Sequence, residues 1–263
     1  MSSFYIIGSD KRIINIKEMY EKEGIVANNY LQAKYIICPT PFSKDKVYIT
    51  GTDMKCEEII DMCKGRTLFA GAIPSIVKEK LDKENITYYD LMDYDDLAIL
   101  NAIPTCEGAI KIAIEKTDIT LCGSNVLVLG FGRIGKVLCK MLSGIGSKVY
   151  CEARNEKDLA QIRAMGYNDV DLNNLEGYLP KADYIFSTIP HMILDSGRLD
   201  LVKEDVCIID LASSPGSVDF EYAKGKNINT SLELALPAKV ASKSSAMYFK
   251  DKIDKIIQEI ENN

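Results

Sequence analysis

Residues Asn125 to Gly135 read Asn-Val-Leu-Val-Leu-Gly-Phe-Gly-Arg-Ile-Gly, an apolar run that ends in glycines spaced Gly-x-Gly-x-x-Gly. This pattern predicts a buried strand that turns into a helix. Gly130 allows the tight turn, Gly132 lets a pyrophosphate approach the backbone, and Gly135 lets the helix pack against the strand. A second strand pattern, at 148–153, follows at the distance of a βαβ unit. The sequence therefore predicts a dinucleotide-binding βαβ unit, and further strand patterns near 170 and at 182–189, 206–211 and 228–232 extend it to a complete Rossmann domain of five or six parallel strands.

The end of that second strand indicates which dinucleotide is bound. It reads Ala153-Arg154-Asn155, and a guanidinium there favours the 2′-phosphate of NADP, whereas a carboxylate favours the ribose of NAD. Asn155 is expected to donate one more hydrogen bond. The acidic rival, Glu152, precedes the tip by one residue, so strand alternation is expected to turn it to the other face. We predict NADP, with a solvated surface cation as the alternative for Arg154.

Further cofactor contacts are predicted from the rule that ligands of an open α/β sheet lie beyond the carboxyl ends of its strands. Thr188 is expected to bond the nicotinamide ribose, with Ser213, Ser214 and Gly216 at the carboxamide; the alternative is that these residues only form turns. His191 has no visible carboxylate partner and is interpreted as packed or solvated. The candidate cofactor-binding residues are Gly130, Gly132, Arg133, Ile134, Arg154, Asn155, Thr188, Ile189, Pro190, Leu211, Ala212 and Ser213.

Composition is that of an ordinary globular protein of one large or two modest domains, with 263 residues and 47% hydrophobic residues. The net charge of −6 gives no sign of nucleic-acid binding. No apolar run approaches the roughly 20 residues of a membrane span, and no basic segment opens the chain, so we expect a cytoplasmic protein.

The eight cysteines include no Cys-x-x-Cys pair, and the chain has a single histidine, so no metal site is expected. We interpret the cysteines as reduced thiols, because a cytoplasm keeps thiols reduced. Cys139 and Cys151 fall on a predicted helix and a predicted strand, where cysteine behaves as a small hydrophobic residue.

The order of strand and helix patterns predicts an α/β fold. Residues 1–100 are predicted to form a smaller N-terminal α/β substrate domain with flavodoxin-like architecture, because strand and helix patterns alternate there. A linker helix is expected within 101–122, with its helical pattern at 109–116, and the Rossmann domain within 123–236. Residues 237–263 carry an apolar helical stripe and are expected to pack back on the N-terminal domain.

Six motifs together resemble the A-subunit family of dipicolinate synthases over almost the whole chain. They are Asn-x-Ile-Pro-Thr-x-Glu-Gly from residue 101, Gly-x-Gly-Arg-x-Gly from 130, Ala-Arg at 153, Thr-Ile-Pro-x-Met-Ile-Leu from 188, Asp-Leu-Ala-Ser-x-Pro-Gly from 210 and Leu-Pro-x-Lys-Val-Ala from 236. The family has Ser or Pro where this chain has Ala102 or Ser242, a small residue in place of His191, and more glycine around Ala235 and Ala238.

The resemblance implies an NADP-dependent dehydrogenase of sporulating bacteria, in the mother-cell cytoplasm, that oxidises a dihydrodipicolinate-type intermediate of the lysine pathway to pyridine-2,6-dicarboxylate. It implies that a flavoprotein-like B subunit of dipicolinate synthase is the partner. Two substrate carboxylates require cationic or N–H donors, for which Arg12 and Lys243, or Lys239, are candidates. Thr105 and Glu107 are candidates to position the ring or relay a proton. The alternative for Glu107 is a helix-capping charge, and for the cations a solvated face. A second hypothesis is a non-catalytic protein that binds NADP(H) and serves as a sensor or scaffold.

Overall fold

The computed structural model describes residues 3–213 and 215–262, and these form two compact units. The first unit joins the start of the chain, as far as Asn101, to the C-terminal segment that begins at Ala241. The second unit runs from Ala102 to Val240.

In the described residues, the first unit is a parallel sheet with helices on both faces. Its elements are β1 (Phe4–Ile6), α1 (Lys11–Lys22), β2 (Tyr35–Ile37), α2 (Cys56–Cys63), β3 (Thr67–Ala70), α3 (Ser75–Lys83), β4 (Tyr88–Asp90), the start of α4 (Asp95–Glu115), and α10 (Ser242–Asn262). Short 3-10 turns lie at Tyr30–Gln32 and Leu91–Asp93.

A rudimentary strand completes this sheet. The order of the named strands is β1-β2-β3-β4, and residue Val26 pairs in parallel with Phe4 on the free side of β1. The amide of Phe4 donates to the carbonyl of Ile25 at 2.9 Å, and Ala27 donates back to Phe4 at 2.8 Å. With this bridge counted, the chain order across the sheet is 2-1-3-4-5, which is the flavodoxin-like order. The sequence prediction of the fold class is confirmed, although it missed this short segment.

Helix α10 covers one face of the first sheet together with α1. Phe249, Ile253, Ile256 and Ile257 recur at helical spacing and are buried against the aromatic residues of β1 to β3. Met247, another apolar residue of this helix, is exposed. Helices α2 and α3 contribute to the core on the opposite face.

The second unit is an open parallel sheet in the described residues. It contains β5 (Asn125–Leu129), α5 (Arg133–Ile145), β6 (Lys148–Ala153), α6 (Glu156–Ala164), β7 (Asn168–Asp171), β8 (Tyr184–Ser187), α7 (Ser196–Leu199), β9 (Cys207–Asp210), α8 (Phe220–Gly225), β10 (Asn229–Leu232) and α9 (Leu236–Val240), with 3-10 turns at Leu172–Gly177 and Leu179–Lys181. The strand order is β10-β9-β8-β5-β6-β7. Counted within the unit, this order is 3-2-1-4-5-6 read from β7, the Rossmann order, which confirms the prediction. The order reverses between β5 and β8, where such sheets bind ligands.

Helix α4 differs from the expected linker helix. It begins at Asp95 instead of near 109, and it contains Pro104 within its length. Its length and apolar composition equal those of a membrane span, which the sequence analysis had not anticipated. However, Cys106, Ala109 and Ala113 are fully buried in the core of the second unit, which accounts for the apolar face.

Candidate functional site

A groove of about 360 Å³ lies at the carboxyl ends of β5, β6 and β8. Seven of the predicted cofactor-binding residues line it: Gly130, Gly132, Arg154, Asn155, Thr188, Ile189 and Pro190. Phe131, Ala153 and His191, which belong to loops predicted to surround the cofactor, also line the groove, whereas Glu152 and Asp158 line it without having been predicted to. Three loops that are far apart in the chain therefore meet where the strand order reverses.

Two glycines make the close approach of the first loop possible. Gly130 has a φ of +94°, and a Cβ on it would lie 2.6 Å from the Thr188 hydroxyl oxygen. A Cβ on Gly135 would lie 2.0 Å from the carbonyl oxygen of Gly130. The turn needs a residue that tolerates positive φ, and the helix needs one without a side chain.

The N-terminus of α5 opens toward the groove without a side-chain cap. Its N-cap is Gly132, which makes no side-chain hydrogen bond to the first turn. A Cβ at Gly132 would meet nothing within 4 Å, so space is left beside the first helical N–H groups. The uncapped N–H groups and the positive end of the dipole suit a diphosphate. Arg133 and Ile134 begin this helix but do not line the groove; Arg133 is exposed, and Ile134 packs against the core.

Arg154 and Asn155 differ in availability. Arg154 is exposed at the rim and makes no ion pair within the part of the chain that the structure describes. Asn155 caps α6: its Oδ1 accepts from the Asp158 amide at 2.9 Å, and its Nδ2 donates to the Asp158 carboxylate at 2.8 Å. One of the two N–H donors of the Asn155 amide is therefore used within the protein, and one is left for the expected donation to a phosphate.

The expectation for Glu152 was wrong. Its side chain is 1% exposed and lines the groove instead of turning away. Its Oε2 accepts from the Gly130 amide at 3.1 Å, while Oε1 is buried without a hydrogen-bond partner among the described residues. Burial raises the pKa of this carboxyl, opposed by the hydrogen bond from Gly130 and by the charge of Arg154. Alternation gives the face from which a side chain leaves the strand, but the long side chain reaches the loop beyond it.

The loop after β8 reaches the groove through its backbone and apolar atoms. The Thr188 hydroxyl donates to the Leu129 carbonyl at 3.0 Å, so it holds the loop against the end of β5. Ile189 is buried, and Pro190 and His191 are exposed at the groove.

The loop after β9 was predicted to contact the cofactor, but it does not line the groove. Leu211 and Ala212 are buried, and Ser213 is exposed. Fully buried Asp210 folds the loop back by accepting from the Ala212 amide at 2.9 Å and the Ser217 amide at 2.6 Å. Gly216 lies in this loop with a φ of +86°. The expectation for Ser214 lies outside the described residues.

The two cationic candidates of the first unit have different surroundings. Arg12 is 5% exposed; its guanidinium donates to the Thr40 carbonyl and lies 4.6 Å from the centre of the Phe249 ring. Its Nε has no partner, and Arg12 makes no ion pair among the residues described. Burial lowers the pKa of the guanidinium, and Asp10 opposes this effect. Lys243 is exposed in the first turn of α10.

The candidates on α4 lie away from the groove at the carboxyl ends of β5, β6 and β8, which we call the dinucleotide groove. Glu107 is exposed and lines a separate, largely apolar groove with Ile110, Met141 and Ile145. Thr105 is half-buried and does not line the dinucleotide groove either. Lys239 pairs with Glu233 at 3.9 Å. The structure does not bring these side chains to the dinucleotide groove.

Seven of the eight cysteines are buried, and Cys122 is exposed. Cys139 and Cys151 are fully buried in the core of the second unit, and burial raises the pKa of the Cys106 thiol to about 12. A thiol with that pKa is almost entirely protonated at neutral pH and is a poor nucleophile. In the described part of the chain, no group of three or more His, Cys, Asp or Glu side chains is arranged to hold a metal ion.

Ala235 occupies a position that favours glycine. It has a φ of +57°, in the left-handed region that costs an L-residue about 1 to 2 kcal/mol. We predict that Ala235→Gly raises the free energy of unfolding by about 0.5 kcal/mol, because the relieved strain exceeds the extra chain entropy of glycine. Urea denaturation would measure it. Ala238→Gly, inside α9, is the matched control and should destabilise; the same sign for both variants would contradict the assignment of strain.

These features define the class of protein: a two-unit α/β protein whose second unit is a Rossmann domain for a nicotinamide dinucleotide. The family model of the D-isomer specific 2-hydroxyacid dehydrogenase NAD binding domain matches residues 110–218. The groove supports this assignment in its own geometry, with an uncapped helix N-terminus beside a glycine turn.

Within that class, the chain is similar to the A subunit of dipicolinate synthase, as its motifs predicted. It is 38% identical to this protein of Bacillus subtilis over 171 residues, which is 65% of this chain and 58% of the length of that relative. The crystal structure of the Bacillus halodurans relative has 28% sequence identity and a TM-score of 0.88, with 97% of each chain covered. The crystal structure of the Bacillus subtilis relative has 27% identity and a TM-score of 0.88, covering 99% of this chain and 97% of that one.

Proposed function

We propose that this chain belongs to an NADP-dependent dehydrogenase that oxidises a dihydrodipicolinate-type ring to pyridine-2,6-dicarboxylate during sporulation. One observation carries the proposal: the similarity to the A subunit of dipicolinate synthase extends over nearly the whole of both chains in structure. Within this proposal the protein works in the mother-cell cytoplasm with a flavoprotein-like B subunit.

The bound dinucleotide supplies a hydride acceptor, and loss of hydride and a proton from the ring leaves an aromatic product. The residues of the second unit hold the dinucleotide. The first turn of α5 and the space at Gly132 receive the diphosphate. The exposed guanidinium of Arg154 pairs with the 2′-phosphate of NADP.

Substrate binding is assigned to cations of the first unit. The substrate is a dicarboxylate, so it needs donors whose charge is not already neutralised. Arg12 is a buried guanidinium with no ion pair among the described residues, and such a charge gains most from an anionic ligand. Lys243 adds an exposed ammonium in the first turn of α10.

We predict that Arg12→Ala raises the KM for the ring substrate about tenfold while the Kd for NADPH stays unchanged. A charge-assisted hydrogen bond contributes about 1.5 kcal/mol or more, which equals this factor. Steady-state kinetics and a separate NADPH titration measure the two quantities. Arg12→Lys tests the charge alone and should recover part of the loss. An unchanged KM in Arg12→Ala would remove Arg12 from the substrate site.

Turnover of the pure chain tests the proposed function directly. The chain is incubated with NADP⁺ and freshly prepared dihydrodipicolinate, with and without the partner flavoprotein, and the absorbance of NADPH and of the pyridine product is followed. Equal amounts of both products are expected. NADP⁺ that binds but is never reduced, in either arm, would contradict the dehydrogenase.

A binding protein without turnover is the second candidate. It is favoured by the placement of Glu107, the proton-relay candidate, which lies outside the dinucleotide groove of its own unit. In that case NADP(H) would bind with the same contacts, and the chain would act through its partner. The turnover experiment separates the two, because a sensor binds NADPH without forming the pyridine.

A further inference from the structure

Glu152 is a buried acid in the dinucleotide groove with half of its hydrogen-bonding capacity unused. Its side chain is 1% exposed, yet it lines the groove beside Gly130 and Arg154. Oε2 accepts from the Gly130 amide at 3.1 Å, while Oε1 is buried and has no hydrogen-bond partner in the part of the chain that the structure describes. An ionised carboxylate with one unsatisfied oxygen costs more free energy in such a place than a protonated carboxyl does, because an unpaired charge is harder to bury than an unpaired hydroxyl.

Three charged side chains act on Glu152, and one of them, Arg154, has no ion pair among the described residues and can respond to a bound ligand. Arg198 and Asp171 act on it from neighbouring elements, but Arg198 donates to Glu176 at 2.8 Å and Asp171 accepts from the Asn173 amide at 2.7 Å. Arg154 makes no ion pair in the described residues and is the uncommitted cation. Two further titratable groups line the groove.

Asp158 and His191 are the two further titratable groups that line the groove. Asp158 is held by the side chain of Asn155. His191 is exposed, and histidine is the side chain that most readily changes charge near neutral pH. Any experiment on proton exchange at this groove therefore needs a variant of His191 as a control.

We propose that Glu152 takes up one proton from solvent when NADP(H) binds, so that dinucleotide affinity and selectivity for the 2′-phosphate depend on pH. This inference rests on the proposed function. The diphosphate at the glycine turn adds negative charge beside the carboxylate, and the 2′-phosphate draws away the charge of Arg154. Both effects favour the neutral acid. After protonation at Oε1, Oε2 still accepts from Gly130.

Calorimetry of NADPH binding measures the proton directly. Titrations between pH 7 and 8.5, in buffers that differ in ionisation enthalpy, give the number of protons exchanged; in this range the free 2′-phosphate is mostly a dianion, since its second pKa is about 6. We expect uptake that approaches one proton, and a Kd that rises up to tenfold per pH unit. NADH lacks the 2′-phosphate and should take up less.

Glu152→Gln is the diagnostic variant. The amide is neutral and keeps an acceptor for the Gly130 N–H group, so NADPH should bind with no proton uptake and with a Kd independent of pH. His191→Asn should retain the proton uptake of the parent. Thermal unfolding of each variant checks that it is folded, and the parent measurement stands even if Glu152→Gln does not fold.

The outcomes distinguish a failure of the inference about Glu152 from a failure of the proposed function. NADPH binding without proton exchange, or uptake that persists in Glu152→Gln, overturns the role of Glu152 and leaves the proposed function standing. Uptake that disappears in His191→Asn would assign the proton to the histidine and also overturn it. Binding of neither NADPH nor NADH would overturn the dehydrogenase and this inference together.

Discussion

Gly135→Ala is expected to lower the free energy of unfolding of the second unit by about 3 kcal/mol or more, and to abolish measurable NADPH binding. A Cβ at this position would lie 2.0 Å from the carbonyl oxygen of Gly130. Both partners belong to rigid elements, since one is the turn after β5 and the other is the first turn of α5, so the helix must shift away from the strand. Overpacking typically costs about 1 to 3 kcal/mol, and more where backbone cannot move aside.

Gly144→Ala is the matched control in the same helix. A Cβ at Gly144 meets nothing within 4 Å, and alanine is favoured over glycine in a helix by about 0.5 to 1 kcal/mol. The control should therefore be neutral or more stable. Chemical denaturation followed by circular dichroism measures both variants. Equal stabilities for Gly135→Ala and the parent would contradict the close packing of helix and turn.

The sequence contained most of the information for this turn because the constraint is local. Three glycines at fixed spacing specify a positive φ, a close backbone contact and an uncapped helix start, and all three are present at Gly130, Gly135 and Gly132. Strands β5, β6, β8 and β9 of the second unit were also predictable, since each is a short and mostly buried run between turn signals. The strand order then followed from the Rossmann rule.

The remaining parts depend on contacts between distant segments. Asp210 accepts hydrogen bonds from the backbone amides of residues 212 and 217, so the loop after β9 turns inward. No spacing of residues in the sequence indicates these bonds. Similarly, the Thr188 hydroxyl donates its hydrogen bond to the Leu129 carbonyl. Hydrogen-bonding capacity was read from residue type, whereas the fold decides whether that capacity is already used. Asn155 shows the same effect at the start of α6.

The segment 25–27 was missed for a different reason. Its pairing with β1 consists of a single bridge, and three residues are too few to show a period of two. Its existence depends on β1 having a free edge, and this edge becomes apparent only once β2 has been placed on the other side. A prediction of the flavodoxin-like order from the sequence therefore rested on the general alternation of strands and helices, not on this strand.

Arg154→Ala is expected to weaken NADPH binding about ten- to hundred-fold and to change NADH binding less than twofold. The guanidinium is exposed at the groove rim and has no ion pair in the described residues, so it is available to a 2′-phosphate. Losing charge-assisted hydrogen bonds costs about 1.5 to 3 kcal/mol. The chain contains no tryptophan, so NADPH fluorescence can be titrated against a low protein background.

Lys140→Ala is the control for net charge, because Lys140 is an exposed cation of the same unit outside the groove. It should leave both affinities unchanged. Equal NADPH affinity in Arg154→Ala and the parent would refute NADP selectivity by this residue. A parent that prefers NADH would instead favour Glu152 as a ligand of the ribose hydroxyls.

The two charged residues of the groove should also prove coupled. Arg154 opposes the effect of burial on Glu152, so removing it makes the carboxyl easier to protonate before any ligand arrives. We therefore expect Arg154→Ala to bind NADPH with less proton uptake than the parent. In the double variant with Glu152→Gln, the affinity loss from Arg154→Ala should differ from its loss in the parent background, because the residues share an interaction. Strict additivity of the two changes would mean that the arginine and the acid act on the dinucleotide independently.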